Sequence, residues 1–242
     1  MRFQISYPLS SKSPLYLGTP PLAFHPIKSM ELGDSSDTTA ITVSSHSGSH
    51  IDAPRHFCHH GKTVKDIIAG SIIFAPVYCI TINRTSDNPI RARDFEIGIS
   101  SCEDAAGIFI RTGMYSLRDM DSIRYCSRHP WIHPEVPPFL RKHCPNIQIF
   151  GTDTISISNP DHREEGRECH RAFLCSSKPI LLAEDLNLSD PSLSTQPLTV
   201  TIHPWIIDKL DGVPVLAFAE FLPDHNRNPL VEVKNRDHSL HC

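Results

Sequence analysis

The chain has 242 residues, 39% of them hydrophobic, and a formal net charge of −4 at pH 7. This length can bury one substantial core, so we predict a single domain over residues 1–242. The charged residues form no long runs of one sign, which argues against nucleic-acid partners. The sequence also contains no run of about 18 apolar residues, so we predict no membrane span.

Strand and helix patterns alternate along the chain. Apolar runs of strand length occupy residues 4–7, 40–44, 71–82, 107–111, 147–151, 180–183, 198–202 and 214–221. Residues 137–144 start with two prolines and end with basic residues, and residues 164–174 start with acidic residues and have an apolar side, so both predict helices. This order predicts an α/β domain, a mixed β-sheet with packed helices.

A dense group of possible metal ligands follows the second predicted strand. It consists of His46, His50, Asp52 and His56. Imidazole and carboxylate groups at this density are typical of a divalent-metal site rather than of a polar surface loop. If the segment is extended, His50 and Asp52 lie on one face of it. Gly48 and Pro54 then bend the backbone on either side of that pair.

A metal site would need further ligands from elsewhere in the fold. The best later candidates are His170, on the predicted helix 164–174, and Glu184, at the end of the predicted strand 180–183. A helix followed by a buried strand can bring both side chains to one edge of a sheet. By position alone, each residue also has an ordinary explanation, as a partly exposed helix residue or as the start of a loop.

The eight cysteines are scattered, with no C-x-x-C pair. An even count permits disulfides, but the N-terminus lacks the apolar segment of a signal peptide. We therefore expect reduced thiols and a cytoplasmic location. Cys58, two residues after His56, is expected to pack near the pocket or line it.

The motif resembles the signature of a known family. The pattern His-x-Gly-Ser-His-x-Asp-x-Pro-x-His-Phe at residues 46–57 is similar to that of the metal-dependent cyclase family of hydrolases, which includes bacterial kynurenine formamidases and isatin hydrolases. Residues 151–154, 170–174 and 182–186 look like the family's second metal-binding half. Residues 211–215 look like its C-terminal hairpin.

The resemblance implies an α/β fold of the swivelling type and a homodimer or homotetramer. It also implies one or two divalent cations, typically zinc or manganese. In this chain, His46, His50 and Asp52 would hold the first metal, and Asp52 could bridge to a second. His170 would bind that second metal, with Glu184 joining the site or bridging.

The implied reaction is hydrolysis of an amide bond in a small molecule by a metal-activated water, with His56 as general acid/base. Tyr16-Leu17-Gly18 stands where formamidases have an aromatic-Pro-Gly segment lining the substrate pocket, so Tyr16 is predicted to contact a substrate that need not be N-formylkynurenine. Ser49 replaces the usual threonine and keeps its hydroxyl group. The alternatives are a lactam or lactone hydrolase similar to isatin hydrolase, a metal-dependent cyclase or dehydratase of secondary metabolism, and a non-enzymatic binding protein.

Overall fold

The computed structural model describes residues 1–68 and 72–223, and this part of the chain contains twelve strands and five α-helices. The strands are β1 Arg2–Gln4, β2 Ala23–Lys28, β3 Thr38–Thr42, β4 His50–Asp52, β5 Ile73–Thr81, β6 Pro89–Ile90, β7 Gly107–Arg111, β8 Trp131–Ile132, β9 Ile149–Thr152, β10 Leu181–Glu184, β11 Leu198–Pro204 and β12 Gly212–Phe221. The helices are α1 Val64–Ile68, α2 Glu96–Ile99, α3 Ser122–Ser127, α4 Val136–His143 and α5 Arg163–Leu174.

Seven strands form a closed, barrel-like sheet. Their order is β12-β11-β5-β7-β9-β10-β4, and β4 closes the ring by pairing with the first half of β12. β1 pairs with the second half of β12. The central strands β5, β7, β9 and β10 are parallel, while β4, β11 and β12 are antiparallel to their neighbours, so the sheet is mixed. Strands β2 and β3 form a separate hairpin.

Alternation along the strands divides the apolar residues between two clusters. One cluster receives side chains from all seven strands of the ring, including Val77, Phe109 and Ile51, and fills its interior. The other lies between the outer face of the sheet and the helices, and includes Ile108 and Phe173. Ile51 faces inward, so its neighbours in β4 face outward, toward α5.

The α/β fold class and the mixed sheet are confirmed. Each predicted strand has a counterpart except residues 4–7, of which only residue 4 belongs to β1, and residues 107–111 match β7 in full. The predicted strand 71–82 begins at a residue outside the described ones. The helix predicted at 137–144 is shifted by one residue relative to α4, and the helix predicted at 164–174 matches α5 except that α5 begins one residue earlier. Among the described residues, no helix combines the length and apolar character needed to cross a bilayer.

The expectation of reduced thiols is wrong for one pair of cysteines. Cys58 and Cys175 form a disulfide, which crosslinks positions separated by 117 residues. Such a pair leaves no local spacing signal, so the sequence pattern could not reveal it. Cys58 therefore has a covalent role beyond the expected packing. Cys242 lies outside the described residues, and the free cysteines include Cys79, Cys126, Cys144 and Cys169.

Candidate metal centre

Strand β4 presents two of the predicted ligands together. His50 and Asp52 lie on the same face of this strand and are both buried. The bends expected on either side are present, because Gly48 has a φ of +62° and Pro54 starts a 3-10 turn that carries His56. Ser49 links the segment to its neighbours: its Oγ donates to the Asp185 carbonyl and accepts from the Tyr7 amide.

Glu184 joins this pair through the register of the sheet. It is the cross-strand partner of His50 in the antiparallel pairing of β10 with β4, and directly opposite residues point to the same face. His50 Nε2 lies 3.4 Å from Glu184 Oε2 and 3.4 Å from Asp52 Oδ1. The other oxygen of Glu184 accepts a hydrogen bond from the Ile157 amide at 2.7 Å, which fixes the carboxylate.

Helix α5 supplies His170 from above the sheet. His170 is buried, and its Nδ1 donates to the Gly166 carbonyl one turn earlier at 2.8 Å. Its Nε2 is therefore directed to the carboxylates, 3.7 Å from Glu184 Oε1 and 3.9 Å from Asp52 Oδ2. Phe57 stacks on the His170 ring with centroids 4.5 Å apart. Helix α5 and strand β10 thus bring His170 and Glu184 together, although β10 lies inside the closed sheet and not at an edge.

His46 and His56 form the outer side of the cluster, and both contact Asp211. His46 Nδ1 donates to Asp52 Oδ1 at 2.8 Å and its Nε2 to Asp211 Oδ2 at 3.1 Å. His56 Nδ1 donates to the same Asp211 oxygen at 2.9 Å. Burial alone would lower the pKa of His46, but Asp52 and Asp211 raise it to about 9. The two histidines hold the pKa of the Asp211 carboxyl well below its usual range.

Asp211 is the site residue that the sequence analysis missed. In the sequence, Asp211 belongs only to the segment that resembles the family's C-terminal hairpin, and in the structure it lies immediately before β12. Asp-Gly pairs are common in turns, so Asp211 and Gly212 can be explained as turn residues without any role in the site. Only the pairing of β12 with β4 brings it to the histidines.

The donor set fits a divalent cation. Asp52 Oδ2 is buried and, among the described residues, has no hydrogen-bond partner. An unpartnered buried carboxylate oxygen is unfavourable unless a cation satisfies it. Candidate ligand atoms of His50, Asp52 and Glu184 lie within 4.8 Å of one another, as do those of His46, Asp52 and His56. The two groups share Asp52.

The charges of the cluster shift the pKa values of its members. Burial would lower the pKa of His50, but hydrogen bonds to Asp52 and Glu184 raise it well above its ordinary value. Burial would raise the pKa of Asp52, but His46 and His50 hold it well below its usual range. Burial lowers the pKa of His170 and so favours its neutral imidazole, whereas His46 and His50 would release a proton when a cation binds.

The cluster lies at the base of a cavity of about 460 Å³. All seven residues predicted from the sequence line this cavity: Tyr16, His46, His50, Asp52, His56, His170 and Glu184. The structure therefore brings together the motif, the two distant candidates and the proposed substrate contact. Residues from α5, including Arg163 and Arg167, also line it.

The family model described as "Putative cyclase" matches residues 3–159, which is more than half of the chain. The chain belongs to the cyclase family. The kynurenine formamidase of Geobacillus thermodenitrificans is 26% identical over 215 residues, covering 88% of this chain and 94% of that protein. The kynurenine formamidase of Bacillus cereus is 26% identical over 217 residues, with the same coverage.

The fold is similar to solved structures of cyclase-like hydrolases. Isatin hydrolase A from Labrenzia aggregata superposes with a TM-score of 0.74 at 20% identity, covering 90% of this chain and 93% of that one. A potential metal-dependent hydrolase with cyclase activity gives a TM-score of 0.68 at 18% identity, covering 90% of this chain and 96% of that one. The cyclase-family model ends before α5, so the contribution of His170 and Glu184 rests on the geometry.

The absence of a side chain at Gly212 leaves room for the His46 ring. Replacement of Gly212 by alanine tests this contact. A Cβ at residue 212 would lie 2.4 Å from Cε1 and 2.8 Å from Nδ1 of the His46 ring. We expect Gly212→Ala to displace the ring and to weaken metal binding about 10- to 100-fold, measured by competition with a chromophoric chelator. Gly98→Ala, whose Cβ would be 3.8 Å from Ile80, is the control. Unchanged affinity in Gly212→Ala would mean that His46 is not a ligand.

The buried residue His129, which lies near Tyr16, is expected to make the folded protein less stable in acid. Its Nδ1 donates to the Pro130 carbonyl at 2.9 Å, and burial lowers its pKa to about 4. The pKa of His129 is near 6.5 in the unfolded chain and lower in the folded protein. At a pH between these two values, the unfolded chain binds more protons than the folded protein, so stability falls as the pH falls. From pH 7 to pH 5, His129 should account for a loss of about 2 kcal/mol. Urea unfolding at both pH values should give His129→Asn a smaller loss than wild type, and equal losses would contradict the prediction.

Proposed function

We propose that the protein is a metal-dependent hydrolase that cleaves an amide bond of a small molecule, a C–N bond other than a peptide bond. The observation that carries this proposal is the cluster of buried histidines and carboxylates at the base of the cavity, beside the His56–Asp211 pair. A site for metal storage would not need an oriented imidazole next to its ligands. The kynurenine formamidases among the relatives support an amide as the substrate.

The residues proposed to hold the metal are His46, His50, Asp52, His170 and Glu184. Nitrogen and oxygen donors in this combination suit zinc or manganese. Asp52 Oδ1 lies near His46 and His50, and its Oδ2 faces His170, an arrangement that supports one or two ions per subunit. When bound, a divalent cation would supply a Lewis acid that lowers the pKa of water and polarises a carbonyl group.

His56 is proposed as the general acid/base. Its Nδ1 donates to Asp211, which holds the ring in one orientation and leaves Nε2 as the atom that exchanges a proton. In this assignment, His56 takes a proton from the attacking water and delivers it to the leaving nitrogen. Asp211 is a positioning residue, and Tyr16 contacts the bound substrate from the wall of the cavity.

The second candidate is a lactam or lactone hydrolase. The likeness of the fold to isatin hydrolase A favours it, because the same cluster could attack a cyclic acyl group. A metal-dependent cyclase or dehydratase is the third candidate. Protein loaded with zinc or with manganese should be assayed on an N-formyl arylamine, a lactam and a lactone. Formate release from the first supports the main proposal, ring opening alone supports the second, and inactivity on all three despite bound metal contradicts both.

The protein is further proposed to act as a homodimer or homotetramer. The β2–β3 hairpin supports this, because its apolar side chains Phe24, Ile27 and Ile41 are 51–63% exposed, and such residues are typical of subunit interfaces. Light scattering coupled to gel filtration measures the mass directly. The cytoplasmic location stays a prediction, and the Cys58–Cys175 disulfide gives it no support.

A further inference from the structure

One wall of the cavity carries positive charge. Arg163 and Arg167 line it from α5, the helix that supplies His170. The spacing of residues 163, 167 and 170 puts all three side chains on one helix face. At a rise of about 1.5 Å per residue, Arg163 lies about 10 Å along the helix axis from His170, toward the outer part of the cavity.

The two arginines differ in their partners. Arg167 Nη1 pairs with Glu164 Oε1 at 2.5 Å, so its charge is already compensated. Arg163 is exposed, and its Nε donates to the Pro160 carbonyl at 3.1 Å. Within residues 1–68 and 72–223, no carboxylate forms an ion pair with Arg163. Its guanidinium therefore keeps donors and a full charge available beside the cavity.

The carboxylates that line the same cavity lie at its other end. Asp52 and Glu184 belong to the candidate metal cluster, where bound cations would compensate their charge. The outer part of the cavity thus keeps a net positive charge, from Arg163. A guanidinium binds carboxylates through paired, charge-assisted hydrogen bonds.

We propose that Arg163 binds a carboxylate on the substrate, at the end opposite the group that is hydrolysed. This inference rests on the proposed amide hydrolase and narrows its substrate class. The substrate would be an anionic N-acyl amine, with its carboxylate several bonds from the reacting carbonyl, a span on the order of the about 10 Å that separates Arg163 from His170 along the helix. A small neutral lactam would reach the metal cluster without using Arg163.

A matched pair of substrates tests the proposal with metal-loaded protein. One is 3-(4-formamidophenyl)propionate, and the other is its primary amide, which has nearly the same shape but no charge. Wild type should have the higher kcat/KM for the acid. In Arg163→Gln, the ratio of acid to amide kcat/KM should fall about tenfold, since a partly exposed charge pair is lost. In the control Arg171→Gln, on the same helix but outside the cavity lining, the ratio should stay at the wild-type value.

The outcomes separate this inference from the proposed function. Hydrolysis of both compounds with the same ratio in wild type and Arg163→Gln overturns the role of Arg163 and leaves the amide hydrolase standing. If neither compound is hydrolysed, the proposed function fails, and calorimetric titration with 3-(4-aminophenyl)propionate decides the binding question. An affinity about tenfold weaker in Arg163→Gln than in Arg171→Gln supports the subsite, and equal affinity, or no binding by wild type, overturns it.

Discussion

Replacement of His56 by alanine is expected to leave the metal bound and to reduce kcat about 10²- to 10⁴-fold, the usual contribution of general acid–base catalysis. The His56 ring lies 4.0 Å from that of His46, and its Nδ1 hydrogen-bonds to Asp211. His56 thus lies on the outer side of the cluster and is oriented by Asp211, which is not among the proposed metal ligands. Elemental analysis and steady-state kinetics of the purified variant give the two quantities.

His50→Ala is the matched control for the loss of a ligand. His50 is buried between Asp52 and Glu184, so its removal should release metal and activity together. The comparison is needed because donor atoms of His46, Asp52 and His56 also lie within 4.8 Å of one another. If His56→Ala is isolated without metal, His56 is a ligand and its assignment as the acid/base is wrong.

Arg118→Met is expected to lower the free energy of unfolding by about 3–5 kcal/mol, because it leaves a buried charge without its partner. Arg118 is 4% exposed and Asp185 is fully buried. The guanidinium donates to both oxygens of Asp185, at 2.8 and 2.7 Å, and lies 3.8 Å above the Tyr7 ring. Tyr125 also donates to Asp185 at 2.5 Å. Urea unfolding at pH 7 measures the change.

Two further variants separate the charge effect from the loss of packing. Asp185 has a φ of +53°, which asparagine tolerates. The double variant Arg118→Met/Asp185→Asn should therefore lose less stability than the sum of the two single variants. Lys65→Met removes an exposed ion pair with Asp208 and should change stability by less than about 1 kcal/mol. A similarly small effect of Arg118→Met would contradict the prediction.

The part of the site that could be predicted from sequence is the local part. His50 and Asp52 are two residues apart in an extended segment, so their common face follows from strand geometry alone. Gly48 and Pro54 bend the chain where turn chemistry requires. Glu184 and His170 could be proposed only as candidates, because their approach depends on the β10–β4 register and on the packing of α5.

The remaining features depend on contacts that no local pattern encodes. Asp211 is separated from His46 by 165 residues, and it reaches the cluster only because β12 closes the ring against β4. The closure of the sheet was not predicted for the same reason, since each strand pattern is compatible with several orders. The β2–β3 hairpin is exposed and packs no face against a core, so its strands lack an alternation of buried and exposed residues. For this reason, β2 was not predicted.

The Cys58–Cys175 bridge has a consequence for how the two halves of the site find each other. It joins the chain two residues after His56 to the residue that follows α5, which carries His170. In an unfolded but oxidised chain, the motif and His170 remain tethered, so each has a high effective concentration near the other. Reduction removes that tether, and assembly of the proposed ligand set then depends on folding alone. We therefore expect the oxidised chain to retain metal affinity further into unfolding than the reduced chain does.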